Sequence, residues 1–237
     1  MIICFVNQKG GVGKTTAAIN LGVSLKRKNN SVVFIDAVPQ GSASQWHAVE
    51  NNESFDLFHL PEPVEKAAIE MFSRDYDHVI IDAPPAMGEI TRSILNVADL
   101  VIIPVSPSPL DIWSCSATLE LIKEVQEVRS GLEVRLLINR KIPGTRVGRD
   151  ARQAVEVFQF DIFDTELCQR VAYIDSLTSG ASVTQYAASS KAAGEMERLC
   201  DEIMELTTQD ESASGTWNSY NAPAEEPASN TDSVWQY

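Results

Sequence analysis

Residues 7–16 read NQKGGVGKTT and directly follow the apolar run from Ile2 to Val6. Glycines remove the Cβ atoms that keep a backbone away from phosphate oxygens, and they allow positive φ angles, so successive N–H groups turn toward one anion. The apolar positions between Thr16 and Leu25 predict a helix whose N-terminus faces that anion. A strand, a glycine-rich loop and a helix in this order predict a site for a nucleoside triphosphate.

Each residue of the loop has a predicted role. Lys14 adds a mobile cation for the phosphates, and the Thr15 hydroxyl is a predicted ligand of Mg²⁺. The predicted nucleotide contacts in the loop are Gly10, Gly11, Val12, Gly13, Lys14, Thr15 and Thr16. The general pattern, GxxxxGK followed by Ser or Thr, has a glycine where this chain has Gln8. The loop is therefore a variant form, KGGVGKTT.

With its additional Lys9, KGGVGKTT resembles the deviant Walker A box of the ParA/MinD family of dimeric ATPases. The resemblance implies that Lys9 reaches across a subunit interface to the nucleotide of a partner copy. It also implies the cofactors ATP and Mg²⁺ and a homodimer in the ATP-bound state, because the bound triphosphate joins the two copies. The alternative interpretation of Lys9 is an ordinary solvated surface lysine.

Apolar strand-like runs alternate with amphipathic helical segments along the chain. This alternation predicts an α/β fold with a doubly wound, mostly parallel sheet of the P-loop NTPase type. Ligands bind at the carboxyl ends of the strands in such sheets. Besides the first strand and helix, the predicted strands are residues 31–36, 55–60, 78–82, 100–105 and 133–139, and the predicted helices are residues 62–72, 110–129 and 191–206.

Two aspartates stand at predicted strand ends. Asp82 closes one strand and begins the sequence DAPP, which resembles the second magnesium-side motif of the family; a simple helix cap is the alternative. Asp36 begins DAVPQG, which resembles the first switch motif, usually DxDPQG. The predicted ligands of Mg²⁺ are therefore Thr15, Asp36 and Asp82.

Val38 stands where the resemblance implies a second acid that engages the attacking water. Hydrolysis of ATP needs a group that places water in line with the γ-phosphorus, and valine offers neither a donor nor an acceptor. The predicted catalytic positions are Lys9, Lys14 and Val38, the last as the position of the missing acid. We therefore expect binding of Mg-ATP with impaired hydrolysis.

The resemblance extends to about residue 206 and is nearest to small ParF-type plasmid partition proteins and their carboxysome-positioning relatives. It is carried by residues 99–114 and by LINRKIPGT, residues 137–145. It implies that Asn139 and Arg140 lie near the adenine, although a turn residue and a solvated arginine are alternatives. It further implies non-specific DNA binding by the dimer and a cargo-adaptor protein that stimulates hydrolysis, and it leaves the cargo open.

Charge gives the DNA prediction partial support. The chain has 33 acidic and 19 basic residues and a net charge of −14, which repels a polyanion unless bases are locally concentrated. Between residues 129 and 152, seven bases face only two acids. The predicted DNA contacts are Lys141, Arg146, Arg149 and Arg152. A merely solvated basic face is the alternative.

The predicted domains are an ATPase domain over residues 1–206 and a disordered acidic tail over residues 207–237. No apolar stretch approaches the length of a membrane span, and Met1 opens directly into the first strand. We therefore expect a cytoplasmic, nucleoid-associated protein without stable membrane association. A MinD-like membrane-cycling division regulator is an alternative that requires a basic amphipathic C-terminal helix, which the acidic tail does not supply. A bacterial tyrosine kinase is a further alternative, but the tail has only Tyr220 and Tyr237.

Overall fold

A seven-stranded parallel sheet organises the fold, in the order β3-β2-β4-β1-β5-β6-β7. The computed structural model describes residues 1–50 and 53–218. Every strand pair in the sheet is parallel. The strands are β1 Ile2–Phe5, β2 Val32–Asp36, β3 Asp56–His59, β4 His78–Asp82, β5 Leu100–Val105, β6 Glu133–Ile138 and β7 Asp161–Ile162. The predicted fold class is confirmed.

The inner strands are buried on both faces, which explains their continuous apolar sequences. All residues of β1, β2, β4 and β5 are buried, as expected for a parallel sheet covered by helices. The helices are α1 Lys14–Arg27, α2 Ser42–Val49, α3 Lys66–Asp75, α4 Glu89–Leu95, α5 Pro109–Ser114, α6 Ser116–Val128, α7 Arg146–Glu156, α8 Val171–Thr178, α9 Val183–Tyr186 and α10 Lys191–Asn218. None of these helices is both long and apolar enough to cross a bilayer, as far as residues 1–50 and 53–218 are concerned.

Several boundaries differ from the sequence predictions for local reasons. The helix predicted from residue 62 begins at Lys66, because Pro63 disfavours helical backbone at the residue before it. The helix predicted over residues 110–129 is two helices, α5 and α6, that meet at Cys115. The Cys115 N–H donates to the Ile112 carbonyl three residues earlier, which tightens the turn between them.

The C-terminal helix α10 starts at Lys191 as predicted and runs to Asn218, beyond the predicted end at residue 206. Its apolar positions Met196, Leu199, Cys200 and Ile203 are buried. The chain divides into one unit over Met1–Ile203 and a second that begins at Met204. Residues 207–218 of the predicted disordered tail are therefore helical in the structure, and residues 219–237 lie outside the described residues. The domain boundary at residue 206 stays a prediction.

The strand register brings the predicted site residues to one edge of the sheet. Asp82 is paired with Phe5 on one side and with Asp36 on the other. Asp36 is in turn paired with His59, at the end of the edge strand. The glycine loop after β1 and the acids that end β2 and β4 therefore share the carboxyl edge, where such sheets bind ligands.

Candidate functional site

The glycine loop joins β1 to α1 and has the backbone that its sequence predicts. Gly11 and Gly13 have φ angles of 77° and 92°, in the region that favours glycine. A Cβ on Gly13 would lie 2.4 Å from the Asn139 Nδ2 atom, so this position also lacks space for a side chain. Gly13 is the N-cap of α1 and has no side chain to cap the helix. The first turn of α1 therefore presents its N–H groups to an anion.

Lys14 is the buried cation of the site. Its Nζ atom donates to the carbonyl oxygens of Asn7 at 2.9 Å and of Lys9 at 3.4 Å. Burial lowers the pKa of Lys14, and the nearby Asp82 opposes this effect. The ammonium group is thus held beside the loop, where it is available to phosphate oxygens.

Thr15 and Asp82 meet at the centre of the carboxyl edge. The Thr15 hydroxyl donates to Asp82 Oδ2 at 2.5 Å. Asp82 Oδ1 is buried and accepts no hydrogen bond from the described part of the chain. Burial raises the pKa of Asp82 to about 7, although the Thr15 hydroxyl and Lys14 oppose the shift. A buried carboxylate oxygen without a donor is an unfavourable arrangement that a cation would relieve.

This arrangement fits Mg²⁺, which binds through one or two protein oxygens, the phosphates of its substrate and water. Thr15 and Asp82 provide two adjacent oxygens. Within the described residues, no group of three or more His, Cys, Asp or Glu side chains could hold a metal ion by itself. The residues present therefore fit a magnesium ion that arrives with a nucleotide, rather than one held by the protein alone.

Asp36 has a different environment from Asp82, because both of its oxygens accept hydrogen bonds. Oδ1 accepts from the Val38 N–H at 3.1 Å, and Oδ2 accepts from the N–H and the hydroxyl of Ser44, each at 2.9 Å. The carboxylate thus connects β2 to the start of α2 and braces the loop between them. A role for Asp36 as a metal ligand stays a prediction.

Val38 is buried in that loop, and its only polar atoms are those of its backbone. Its carbonyl accepts from the Gly41 N–H at 2.9 Å and from His59 Nε2 at 3.1 Å. His59 did not emerge from the sequence analysis, although it ends β3 just as Asp36 ends β2. The predicted strand over residues 55–60 ran one residue beyond the observed end of β3, so the strand-end rule that found Asp36 did not single out His59.

Asn139 and Arg140 follow β6 and contact the glycine loop. Asn139 Nδ2 donates to the Val12 carbonyl at 2.7 Å, and Arg140 Nη1 donates to the Gly11 carbonyl at 2.7 Å. Both residues also line a cavity of about 380 Å³ beside the loop. The other lining residues are Gly11, Gly13, Thr16, Cys168, Gln169, Arg170, Tyr173, Ile174, Leu177 and Thr178. The walls from residues 168–178 carried no motif, so the sequence analysis missed them.

Lys9 lies at the rim of the site. Its Nζ atom is 3.7 Å from Asp111 Oδ1 at the start of α5, and the side chain is 46% exposed. Lys9 is therefore close to the loop, accessible from solvent and held by one acid of its own chain. Its predicted contact with a partner's nucleotide stays a prediction.

The four predicted DNA contacts differ in their availability. Lys141 forms an ion pair with Glu166, and Arg152 Nη2 donates to the Phe163 carbonyl at 2.6 Å. Arg149 Nη1 donates to the carbonyl of Gly144, and Arg146 is 88% exposed beside Asp150. Lys141 and Arg152 are thus held in partly buried contacts. Of the four, only Arg146 and Arg149, in the first turns of α7, make their contacts at the exposed surface.

Comparison with known proteins agrees with this geometry. Residues 3–183 match the family described as the CobQ/CobB/MinD/ParA nucleotide binding domain. The chain belongs to this family. The resemblance to ParA/MinD proteins, inferred above from the loop, is confirmed.

Curated relatives and solved structures cover nearly the whole of the described domain. The maintenance of carboxysome distribution protein A (McdA) of Halothiobacillus neapolitanus is 27% identical over 207 residues, covering 85% of this chain and 95% of the relative. The chromosome-partitioning ATPase Soj of Thermus thermophilus is 31% identical over 238 residues, covering 85% and 94%. The structure of a Cyanothece McdA variant in complex with ATP has a TM-score of 0.72 at 20% identity and covers 87% of this chain and 96% of that one. This last likeness shows a shared fold.

The environment of Asp82 leads to a pH prediction for magnesium. The pKa of this carboxyl is about 7 in the ligand-free protein, so a cation must displace a proton below that pH. We expect Mg²⁺ to strengthen ADP binding more at pH 8 than at pH 6. In Asp82→Asn, which keeps an acceptor for Thr15, the benefit of Mg²⁺ is expected to fall by tenfold or more and to lose its pH dependence.

Isothermal titration calorimetry with ADP, with and without Mg²⁺, measures both effects. Asp201→Asn, a change on the surface of α10, is the matched control and should behave like the parent chain. An Asp82→Asn protein that keeps the full benefit of Mg²⁺ at both pH values would contradict the assignment.

Proposed function

We propose that this protein is a Mg-ATP-dependent partition or positioning ATPase with impaired hydrolysis. Two copies bind ATP at their interface, and the resulting dimer binds DNA without sequence preference. A cargo-adaptor protein stimulates its remaining activity, so that a cargo such as a plasmid or a carboxysome-like body is segregated or spaced. The observation that carries the proposal is the donor-free, buried Asp82 oxygen beside Thr15, behind a glycine loop.

Nucleotide binding is assigned to the loop and its two neighbours at the sheet edge. The N–H groups at the start of α1 and the Lys14 ammonium surround the phosphates, and Thr15 and Asp82 hold Mg²⁺. A bound Mg²⁺ would supply positive charge against the negative charge that develops on the phosphate oxygens. The cavity of about 380 Å³ next to the loop, with Tyr173 and Leu177 in its wall, is of a size and character that suits the nucleoside. An ATP complex of a Cyanothece McdA variant with the same fold supports this assignment.

Slow hydrolysis follows from the position of Val38. Its side chain has no polar atom, and its N–H and carbonyl are already used by Asp36, Gly41 and His59. The loop between Asp36 and Ser42, which we call the switch loop, is therefore braced. It offers no group at position 38 to orient water. Placement of the water and charge stabilisation supply most of the rate of phosphoryl transfer. The chain therefore keeps its groups for binding ATP but hydrolyses it slowly.

Restoring the acid should restore turnover. We expect Val38→Asp to raise steady-state phosphate release from ATP by about 100-fold, in the range that a catalytic partner contributes. Release of phosphate is measured at saturating Mg-ATP, with a thermal melt to establish that both proteins are folded. Val128→Asp, at an exposed position of α6, is the matched control. Equal rates for the parent chain and Val38→Asp would end the argument for impaired hydrolysis.

DNA binding is assigned to the start of α7, where Arg146 and Arg149 are accessible. A dimer presents this cationic surface twice, which raises the number of phosphate contacts and the salt dependence of binding. Because dimerisation also doubles the net negative charge, binding depends on these local cations rather than on the net charge of −14 per chain. A DNA-bound state places the protein in the cytoplasm at the nucleoid. The name of the relative Soj, a chromosome-partitioning ATPase, supports this part of the proposal.

The DNA assignment predicts a graded effect of arginine removal. We expect the double variant Arg146→Ala with Arg149→Ala to weaken ATP-dependent binding of random-sequence DNA at least tenfold. The slope of log affinity against log salt should fall by about one for each lost phosphate contact. Lys141→Ala should have less effect, because its cation is paired with Glu166.

Electrophoretic mobility shift at several salt concentrations measures these effects, with and without ATP. Arg74→Ala, on the remote helix α3, serves as the control. Retardation that ignores the nucleotide, or that survives the double substitution unchanged, would count against DNA binding through α7.

A further inference from the structure

Two adjacent side chains at the end of β6 hold two adjacent peptide groups of the glycine loop. Asn139 Nδ2 donates to the Val12 carbonyl and Arg140 Nη1 donates to the Gly11 carbonyl, each at 2.7 Å. Both distances are short for N–H···O hydrogen bonds. We call Asn139 and Arg140 the strap. They join parts of the chain that are more than a hundred positions apart in the sequence.

The strap is itself rigidly held. Asn139 is 7% exposed, and its Oδ1 atom accepts from the Arg140 N–H at 2.9 Å, so both ends of the amide are used. The Arg140 backbone has a φ of 57°, a left-handed conformation that is unfavourable for a residue with a side chain. Such conformations persist where the surrounding structure requires them and are frequent at functional sites. Here the conformation accompanies the contact of both side chains with the loop.

Holding two carbonyls also orients two N–H groups. A trans peptide places its C=O and N–H on opposite sides, and the structure has no cis peptide among its described residues. The Val12 carbonyl shares a peptide with the Gly13 N–H, and the Gly11 carbonyl shares one with the Val12 N–H. With both carbonyls drawn toward β6, both N–H groups point away from it. The Gly13 N–H donates to no other group within residues 1–50 and 53–218, whereas the Val12 N–H faces the Lys9 carbonyl in the turn over Gly10 and Gly11.

The close approach of Asn139 accounts for a feature of the loop sequence. A Cβ on Gly13 would lie 2.4 Å from Asn139 Nδ2. The Asn139 amide could not move away from it without losing its hydrogen bond to the Val12 carbonyl. Gly10 and Gly11 have no atom within 4 Å of a built Cβ. The space requirement at Gly13 therefore comes from the strap.

We propose that Asn139 and Arg140 are positioning residues that preorganise the glycine loop for the phosphate chain. The inference rests on the proposed nucleotide function for its ligand. The strap fixes the peptide groups that carry the Val12 and Gly13 N–H, and it keeps the unbonded Gly13 N–H turned outward before the nucleotide arrives. Binding then does not have to order the loop. The conformational entropy that would otherwise be lost on binding is not lost, so the affinity for phosphate is higher.

The first test uses two fragments of the nucleotide. Inorganic tripolyphosphate with Mg²⁺ probes the loop, and adenosine probes the base pocket. We expect Asn139→Ala to weaken tripolyphosphate binding about tenfold, as for loss of one or two hydrogen bonds, and to change adenosine binding less than twofold. Loss of adenosine binding with tripolyphosphate affinity intact would overturn the proposal in favour of base recognition. Asn96→Ala, at the exposed end of α4, is the matched control.

The second test needs no ligand and separates a strap from a direct phosphate contact of Arg140. Nitrogen-15 relaxation gives the order parameters of the Val12 and Gly13 amides in the ligand-free protein. We expect values typical of rigid backbone in the parent chain and in Arg92→Ala, and values below about 0.6 in Asn139→Ala and Arg140→Ala. Arg140→Gly, which removes the side chain and permits the positive φ, keeps the test valid if Arg140→Ala folds poorly. Unchanged order parameters in these variants would overturn the strap.

The two tests also separate this inference from the proposed function. A parent chain that binds neither tripolyphosphate nor ADP in the presence of Mg²⁺ contradicts nucleotide binding. The order parameters still decide whether Asn139 and Arg140 restrain the loop.

Discussion

The structure depends on keeping a carboxylate, Asp82, and an ammonium group, Lys14, buried near enough to influence each other's pKa at the carboxyl edge of the sheet. Asp82 and Lys14 are both buried. Burial raises the pKa of Asp82 and lowers the pKa of Lys14, so it favours the neutral form of each. Such groups cost free energy unless partners satisfy them. Thr15 and the loop carbonyls satisfy most of their hydrogen bonds, but one Asp82 oxygen has no donor in the described structure. In the proposed function, a magnesium nucleotide brings the cation and the anion that these groups require.

The surrounding elements position that pair and its loop. β1 and β4 pair Phe5 with Asp82, which places the carboxylate directly beside the start of the loop. On one flank Asp36 braces the switch loop, and on the other Asn139 and Arg140 hold the loop carbonyls. The site is therefore preorganised for binding. At Val38 the same framework has no polar side-chain atom, which is the basis for the proposed difference between binding and turnover.

The sequence predicted the parts of the site that carry local chemistry. Glycines before a helix and acids at the ends of apolar strands have physical meanings that need no tertiary structure, so the loop, Asp36 and Asp82 were placed at the sheet edge. Contacts between distant segments were inaccessible: the hydrogen bond from His59 to Val38, the walls of the cavity after residue 167, and the bonds from Asn139 and Arg140 to the loop. The resemblance implied that Asn139 lies near the adenine, which stays a prediction, and it gave no sign of the hydrogen bond from Asn139 to the Val12 carbonyl of the loop.

The central claim is that a bound triphosphate fastens two copies of this chain together through Lys9. Sedimentation velocity with Mg²⁺ and a non-hydrolysable ATP analogue tests it most directly. The account predicts a monomer without nucleotide, a dimer with the analogue, and a monomer for Lys9→Ala under conditions in which calorimetry shows that the variant still binds the analogue. Lys66→Ala, on the exposed surface of α3, should dimerise like the parent chain. A parent chain that stays monomeric when saturated with the analogue would contradict the account.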